Sequence, residues 1–254
     1  MKILRKWFCA GALALAVGGA QAAPVSFGTV NYVTSTLTIA GSDIQADDDD
    51  SGISPLPLAS SSSAAEAGAS AAATAGAAPG SVSAQASATG GVGLDASATA
   101  SANFSGLFSA PGGLLSLIVD VVTGTSATGD SSGDGLVRVT LTAGADTLVD
   151  EIVRQTMQYT ALLNLAAGTL GSLSIEAIGT AAAQPLDPGA PVGGENAAGG
   201  TAQASFAFNQ VPEPGSWALL IASALVMFLS SKQPARSRLA AEVGIPHGPT
   251  VDNA

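Results

Sequence analysis

A chain of 254 residues has room for one domain or two small ones, and 47% hydrophobic residues with only 4% aromatics imply a core of small side chains, mostly alanine. Charged residues make up 11%, against roughly 25% in ordinary globular domains, so the surface falls to Ser, Thr, Gly, Ala and Asn. The net charge of −11 is unevenly placed: between the first and last apolar runs only Arg138 and Arg154 stand against seventeen acids from Asp43 to Glu213, a formal −15 that repels anionic membrane surfaces and excludes nucleic acid as a partner.

The N-terminus carries Lys2, Arg5 and Lys6, then an uncharged run from Trp7 to Gly19, then Ala20-Gln21-Ala22 before Ala23-Pro24. A positive segment, a short apolar stretch and an Ala-x-Ala site make a secretory signal peptide over residues 1–22, cut between Ala22 and Ala23. Export through the Sec machinery and signal peptidase is therefore expected. The run is shorter than the roughly 20 residues that span a bilayer, which disfavours an uncleaved anchor. Cys9, the single cysteine, lies inside it; the mature chain is then thiol-free, with neither disulfides nor thiolate chemistry.

Residues 23–210 are expected to form one exported β-rich domain. Thr34, Thr36 and Thr38 alternate with Val33, Leu37 and Ile39, the period of a half-buried strand. Asp47-Asp48-Asp49-Asp50-Ser51-Gly52 reads as an acidic turn. Residues 59–79 lack alternation and read as a flexible Ser/Ala-rich loop or a weak helix from Ala64 to Ala78. From Ser81 to Phe104 polar residues hold odd positions and Val82, Ala84, Ala86, Ala88, Ala96, Ala98, Ala100 and Ala102 even ones, predicting two strands about a Gly-rich turn, with a disordered linker as the alternative. A second acidic turn is Asp130-Ser131-Ser132-Gly133-Asp134-Gly135.

Further strands are predicted at Val137–Leu141, Tyr159–Leu165, Leu173–Ala177 and Ala204–Phe208. From Thr147 to Gln158, Leu148, Val149, Ile152, Val153 and Met157 recur at helical spacing with Asp146 as a cap, though a strand fits the same residues. A long Pro/Gly loop is expected from Gln184 to Gly200. Several strands of similar length with little helix predict an all-β fold, an antiparallel β-sandwich of Greek-key or jelly-roll type.

Both acidic turns offer oxygens at the first, third and fifth places with Gly sixth, the opening of a calcium loop, with Asp47, Asp49, Asp130 and Asp134 as candidate ligands. Leu58 and Leu141 stand where a bidentate Glu would close it, and a solvated acidic turn is the plainer reading. Otherwise no cofactor is expected. The only histidine, His247, follows the last apolar run, and the segment between the runs has no Trp to stack sugars. No catalytic residues are therefore predicted and the chain does not read as an enzyme.

The chain then runs Val211-Pro212-Glu213-Pro214-Gly215-Ser216-Trp217, an uncharged stretch from Ala218 to Leu229, and Lys232, Arg236 and Arg238. Two prolines hold Glu213 in an extended segment that a processing enzyme can grip. Trp217 sits where an interfacial aromatic belongs, and the basic residues fix their side of a single transmembrane helix in the cytoplasm. Residues 211–238 resemble the PEP-CTERM sorting signal of Gram-negative bacteria that make exopolysaccharide. That resemblance implies recognition of Pro212, Glu213 and Pro214 by exosortase, transient anchoring in the inner membrane, and release to the cell surface or extracellular matrix, with exopolysaccharide as a surrounding partner. An atypical tail at 239–254 departs from that pattern. The expected role is structural, within an exopolysaccharide or biofilm matrix. The alternative is a non-catalytic surface module for glycan or a partner protein, held by a plain C-terminal anchor.

Overall fold

The computed structural model describes residues 23–53, 57–189 and 195–211, with 223, 224 and 227. One compact unit spans Ala22–Val211; Met1–Gln21 and Pro212–Ala254 fall outside it. The predicted signal peptide, with Ala20 and Ala22, lies outside the described residues, as do Pro212, Glu213, Pro214, Trp217, Lys232, Arg236, Arg238 and the tail. Among the described residues no helix is long and apolar enough to cross a membrane.

The described residues form twelve strands, most of them alternating small apolar with polar residues: β1 (Phe27–Ala40), β2 (Ile44–Gly52), β3 (Leu58–Glu66), β4 (Ala69–Ala78), β5 (Ser81–Thr89), β6 (Ala96–Ser109), β7 (Gly113–Thr128), β8 (Ser131–Ala143), β9 (Asp146–Val153), β10 (Met157–Leu165), β11 (Leu170–Ala183) and β12 (Ala197–Gln210). They form two six-stranded antiparallel sheets, in the orders β2-β1-β6-β11-β8-β9 and β10-β7-β12-β5-β4-β3. The expected all-β, antiparallel class is what the chain adopts. Inner faces of both sheets share one core, joined where Phe104 of β6 meets Phe206 of β12 and Phe108 meets Phe208, with ring centroids 4.6 and 5.0 Å apart.

That core is graded along the strands. Inward residues of β12 run from Ala198 and Gly200 through Ala202 and Ala204 to Phe206 and Phe208; those of β8 run from Gly133 and Gly135 to Val137, Val139 and Leu141. The antiparallel β11 reverses the order, from Leu173 and Ile175 to Gly179, Ala181 and Ala183, and the register sets Phe104 beside Ile175 and Gly135 beside Gly179. Large residues thus meet at one end and glycines at the other. At the glycine end a Cβ on Gly179 would stand 2.8 Å from the Gly200 carbonyl oxygen, so the backbones of the two sheets are in direct contact. At the wide end Phe27 packs edge-on against Phe104 and Phe108, at 5.4 and 6.2 Å. Each such pair adds about 0.5–1.5 kcal/mol beyond burial.

Several expectations need correction. Residues 59–79 are neither loop nor helix but the hairpin β3–β4, in continuous register from Leu58 opposite Ala77 to Glu66 opposite Ala69. Thr147–Gln158 holds β9 and the start of β10, with Asp146 opening a strand rather than capping a helix. β5 and β6 are strands as expected, but they belong to different sheets, so residues 90–95 carry the chain across the core rather than round a hairpin. The loop after β11 ends earlier than expected, because Ala197–Gly200 already pair with β5 and β7.

The polarity of β1 is also the reverse of the expected one. Thr34, Thr36 and Thr38 are buried while Val33 and Leu37 face outward at 38% and 37% exposure. The hydroxyls are satisfied inside: Thr36 Oγ1 donates to the Asp48 carbonyl and Thr38 Oγ1 to that of Ala46, each at 3.2 Å, and Thr34 Oγ1 shares a 2.7 Å bond with Ser60 Oγ of the facing sheet. A bonded threonine presents its methyl to an alanine core at little cost, since the penalty attaches to unpaired polar groups.

Candidate functional site

The four predicted calcium ligands do not converge. Asp47–Asp50 are not a turn: they lie within β2, paired antiparallel with β1 from Leu37 opposite Asp47 to Thr34 opposite Asp50. Alternation puts Asp47 and Asp49 on the outer face and Asp48 and Asp50 on the inner one. Asp130 lies in the β7–β8 connection, where its amide donates to Asn196 Oδ1, and Asp134 lies within β8, ion-paired with Arg154. β2 and β8 are separated by β1, β6 and β11. Among the described residues no three His, Cys, Asp or Glu side chains gather as metal ligands would.

Asp48 does something the sequence did not suggest. Its Oδ2 accepts the Ser61 amide at 2.8 Å. β2 is an edge strand of one sheet and β3 of the other, so this carboxylate ties the two edges and occupies a main-chain donor that another strand could seize.

The second candidate surface is the outer face of the sheet containing β3, β4, β5, β12 and β7. Register aligns its outward residues in rows: Ser61, Thr74, Gln85, Thr201 and Gly124 form one, and Ser63, Ala72, Ser87, Gly199 and Ser126 the next. Two shallow depressions lie on this face. One of ≈ 440 Å³ is bordered by Ser63, Ser70, Ser87 and Thr89, the other of ≈ 240 Å³ by Thr74, Gln85, Thr201 and Gln203. Neither is lined by a charged residue. Hydroxyls and amides in such rows can exchange hydrogen bonds with a neutral hydroxylated ligand, but they offer no nucleophile–base pair. The odd-numbered polar residues of β5 were legible in the sequence; their alignment with β4 and β12 was not.

Both tyrosines titrate above their usual range. Burial raises Tyr32, and burial together with the nearby Glu151 carboxylate raises Tyr159. Three buried polar side-chain atoms, Ser62 Oγ, Glu66 Oε2 and Ser131 Oγ, have no hydrogen-bond partner; they come from β3 and β8, in different sheets. At the wide end the two ends of the compact unit meet: the Gln210 amide donates to the Ala23 carbonyl at 2.7 Å and the Val25 amide to that of Phe208 at 2.8 Å.

No protein-family model matches this chain, and no curated protein matches it. Among solved structures, the GH31 alpha-xylosidase from Xanthomonas citri is similar at 9% identity over 76% of this chain and 28% of that chain, with a TM-score of 0.16. At that level the likeness bears on neither fold family nor activity.

Proposed function

We propose that the chain is a non-catalytic, exported surface or matrix protein whose two ends are addresses and whose middle is the cargo. In this reading the Sec machinery exports it, signal peptidase cuts between Ala22 and Ala23, a single C-terminal helix anchors it with Lys232, Arg236 and Arg238 inside, and an exosortase acts at Pro212, Glu213 and Pro214. The two layers are read as a β-sandwich of Greek-key or jelly-roll type. The observation that carries the proposal is the extent of the compact unit, Ala22–Val211, which begins and ends at the two points where sequence places processing. The pairing of Ala23–Val25 with Phe208–Gln210 brings both ends to one side of the unit, as suits a cargo tethered first by one end and then by the other.

The test is expression of the whole chain in an exosortase-bearing host, beside a Pro212→Ala/Glu213→Ala variant. The proposal expects a mature product shortened at both ends and found outside the cell, and a variant retained in the inner membrane. Equal release of both would overturn it.

A second reading, a surface module for neutral glycan, is favoured by the uncharged hydroxyl and amide rows across β4, β5 and β12. It expects alteration of those rows, for example Gln85→Lys with Thr201→Lys, to abolish retention on a neutral exopolysaccharide without changing export. Retention unchanged would remove it.

A further inference from the structure

Each sheet has two edge strands, and three of the four are guarded. β2 carries Asp47–Asp50, β9 carries Asp146, Asp150 and Glu151, and β3 ends in Glu66 with its Ser61 amide occupied by Asp48. Natural edge strands are blunted by such charges because bare ones pair with other chains. β10 has no guard. Its nine residues, Met157–Leu165, contain no charge, proline or glycine and pair with β7 without a register break. Its core-facing Tyr159, Ala161, Leu163 and Leu165 are only half-buried against the core, and Leu162 is 63% exposed.

We infer that β10 pairs antiparallel with β10 of a second copy of this chain, joining two six-stranded sheets into one of twelve. A two-fold axis at Ala161 makes the strand complementary to itself: Tyr159 falls opposite Leu163 of the second copy, Gln158 opposite Asn164, and Thr160 opposite Leu162. Apolar residues then meet on the core side and amides on the other, the pairings that stabilise adjacent strands. Charge selects this edge for like-charged copies: in a chain of net charge −11, it is the one edge strand among the described residues that brings no carboxylate to the seam. Both copies use the same strand, so the contact closes as a dimer and does not propagate. The acidic β9 strands come to the same side of the seam, and Glu151 already acts on Tyr159. Salt therefore strengthens the association.

The test uses the full chain in non-ionic detergent, with Cys9→Ala to remove its own thiol. Residues directly opposite in a pair have Cβ atoms about 4.5–5.5 Å apart, close enough for small adjustments to admit a disulfide. Under mild oxidation Ala161→Cys is expected to give a covalent dimer, and more of it at about 0.5 M salt than at about 0.02 M. Ser63→Cys, exposed on the guarded β3, is expected to give about a tenth as much or less. Adding Thr160→Lys and Leu162→Lys, both exposed, should remove the Ala161→Cys dimer while leaving the circular dichroism spectrum unchanged. Equal crosslinking at positions 63 and 161, or a dimer indifferent to the lysines, would overturn the inference.

Discussion

The contact between sheets at the glycine end makes a graded prediction. Gly179 of β11 and Gly200 of β12 both face inward, and neither has a positive φ, so alanine is penalised there only by space. A Cβ on Gly179 meets the Gly200 carbonyl oxygen at 2.8 Å and that of Ala84 at 3.2 Å; restoring an ordinary contact near 3.4 Å parts the sheets by about 0.6 Å. A gap of that size forfeits about a quarter or more of the attraction between facing atoms. The facing groups here are alanines with nothing longer to fill the space. Gly200 is tighter, since its Cβ would run into the carbonyl oxygens of both Asp134 and Thr180. Overpacking of this kind costs about 1–3 kcal/mol, and at 2–4 °C per kcal/mol for a domain of this size Gly179→Ala should lower Tm by about 3–6 °C and Gly200→Ala by about 6–10 °C. Gly28, with nothing within 4 Å of its Cβ, is the control; there alanine should be neutral or raise Tm by about 1–2 °C. Thermal unfolding followed by circular dichroism reads all three. If Gly200→Ala melts with the parent, or if Gly28→Ala falls as far as Gly179→Ala, the direct contact between sheets is wrong.

Absorbance at 295 nm across alkaline pH should show no tyrosine titrating at the ordinary phenol value of about 10, because the chain's two tyrosines are both raised. Neutral tyrosine is the form the fold favours, so the associated stability is present below about pH 10 and is lost as pH rises through the higher folded values; a Tm constant from pH 9 to 12 would contradict it. Asp48→Ala should lower Tm by about 2 °C through the lost bond to Ser61 and induce concentration-dependent association through the freed β3 edge, read by light scattering. Millimolar calcium should move Tm by less than about 1 °C, since Asp47 and Asp49 lie along an extended strand rather than around an ion; a rise of several degrees would reject that.

How much of this was legible in the sequence depended on whether the two faces of a strand differ in kind. β5, β6, β8, β11 and β12 alternate alanine, valine or leucine with serine, threonine or glutamine, and each was placed on the correct face. β3 and β4 were missed because Ser60–Ser63 and Ala71–Ala73 put one residue type on both faces and so erase the alternation; only pairing with β5 gives them a register. β9 was ambiguous for a geometric reason. Leu148 with Ile152, and Val149 with Val153, are four apart, a spacing that keeps one face in both a helix and a strand, and the structure buries the valines while exposing Leu148 and Ile152. The acidic segment of β2 was misread because aspartate disfavours strands, a preference overridden by a full ladder to β1. The targeting readings of the two ends rest on charge and hydropathy in linear order and fall outside the described residues.

The inverted polarity of β1 and the graded core have one cause. A core made of alanine is thin, and a thin core leaves no room for leucine wherever the backbones close in. Val33 and Leu37 would have to part the sheets if they turned inward beside Ala100 and Ala102, the inward partners of Thr36 and Thr34 on β6. Threonine is smaller and β-branched, and its hydroxyl finds a carbonyl on β2 or a serine on β3, so the hydrophobic rule yields to volume. The same thinness explains the outer surface, where leucine and valine displaced from the core share a face with serine and threonine. A chain assembled this way derives rigidity mainly from backbone ladders and close contact rather than from large buried side chains. Such a body would suit the scaffold role proposed above.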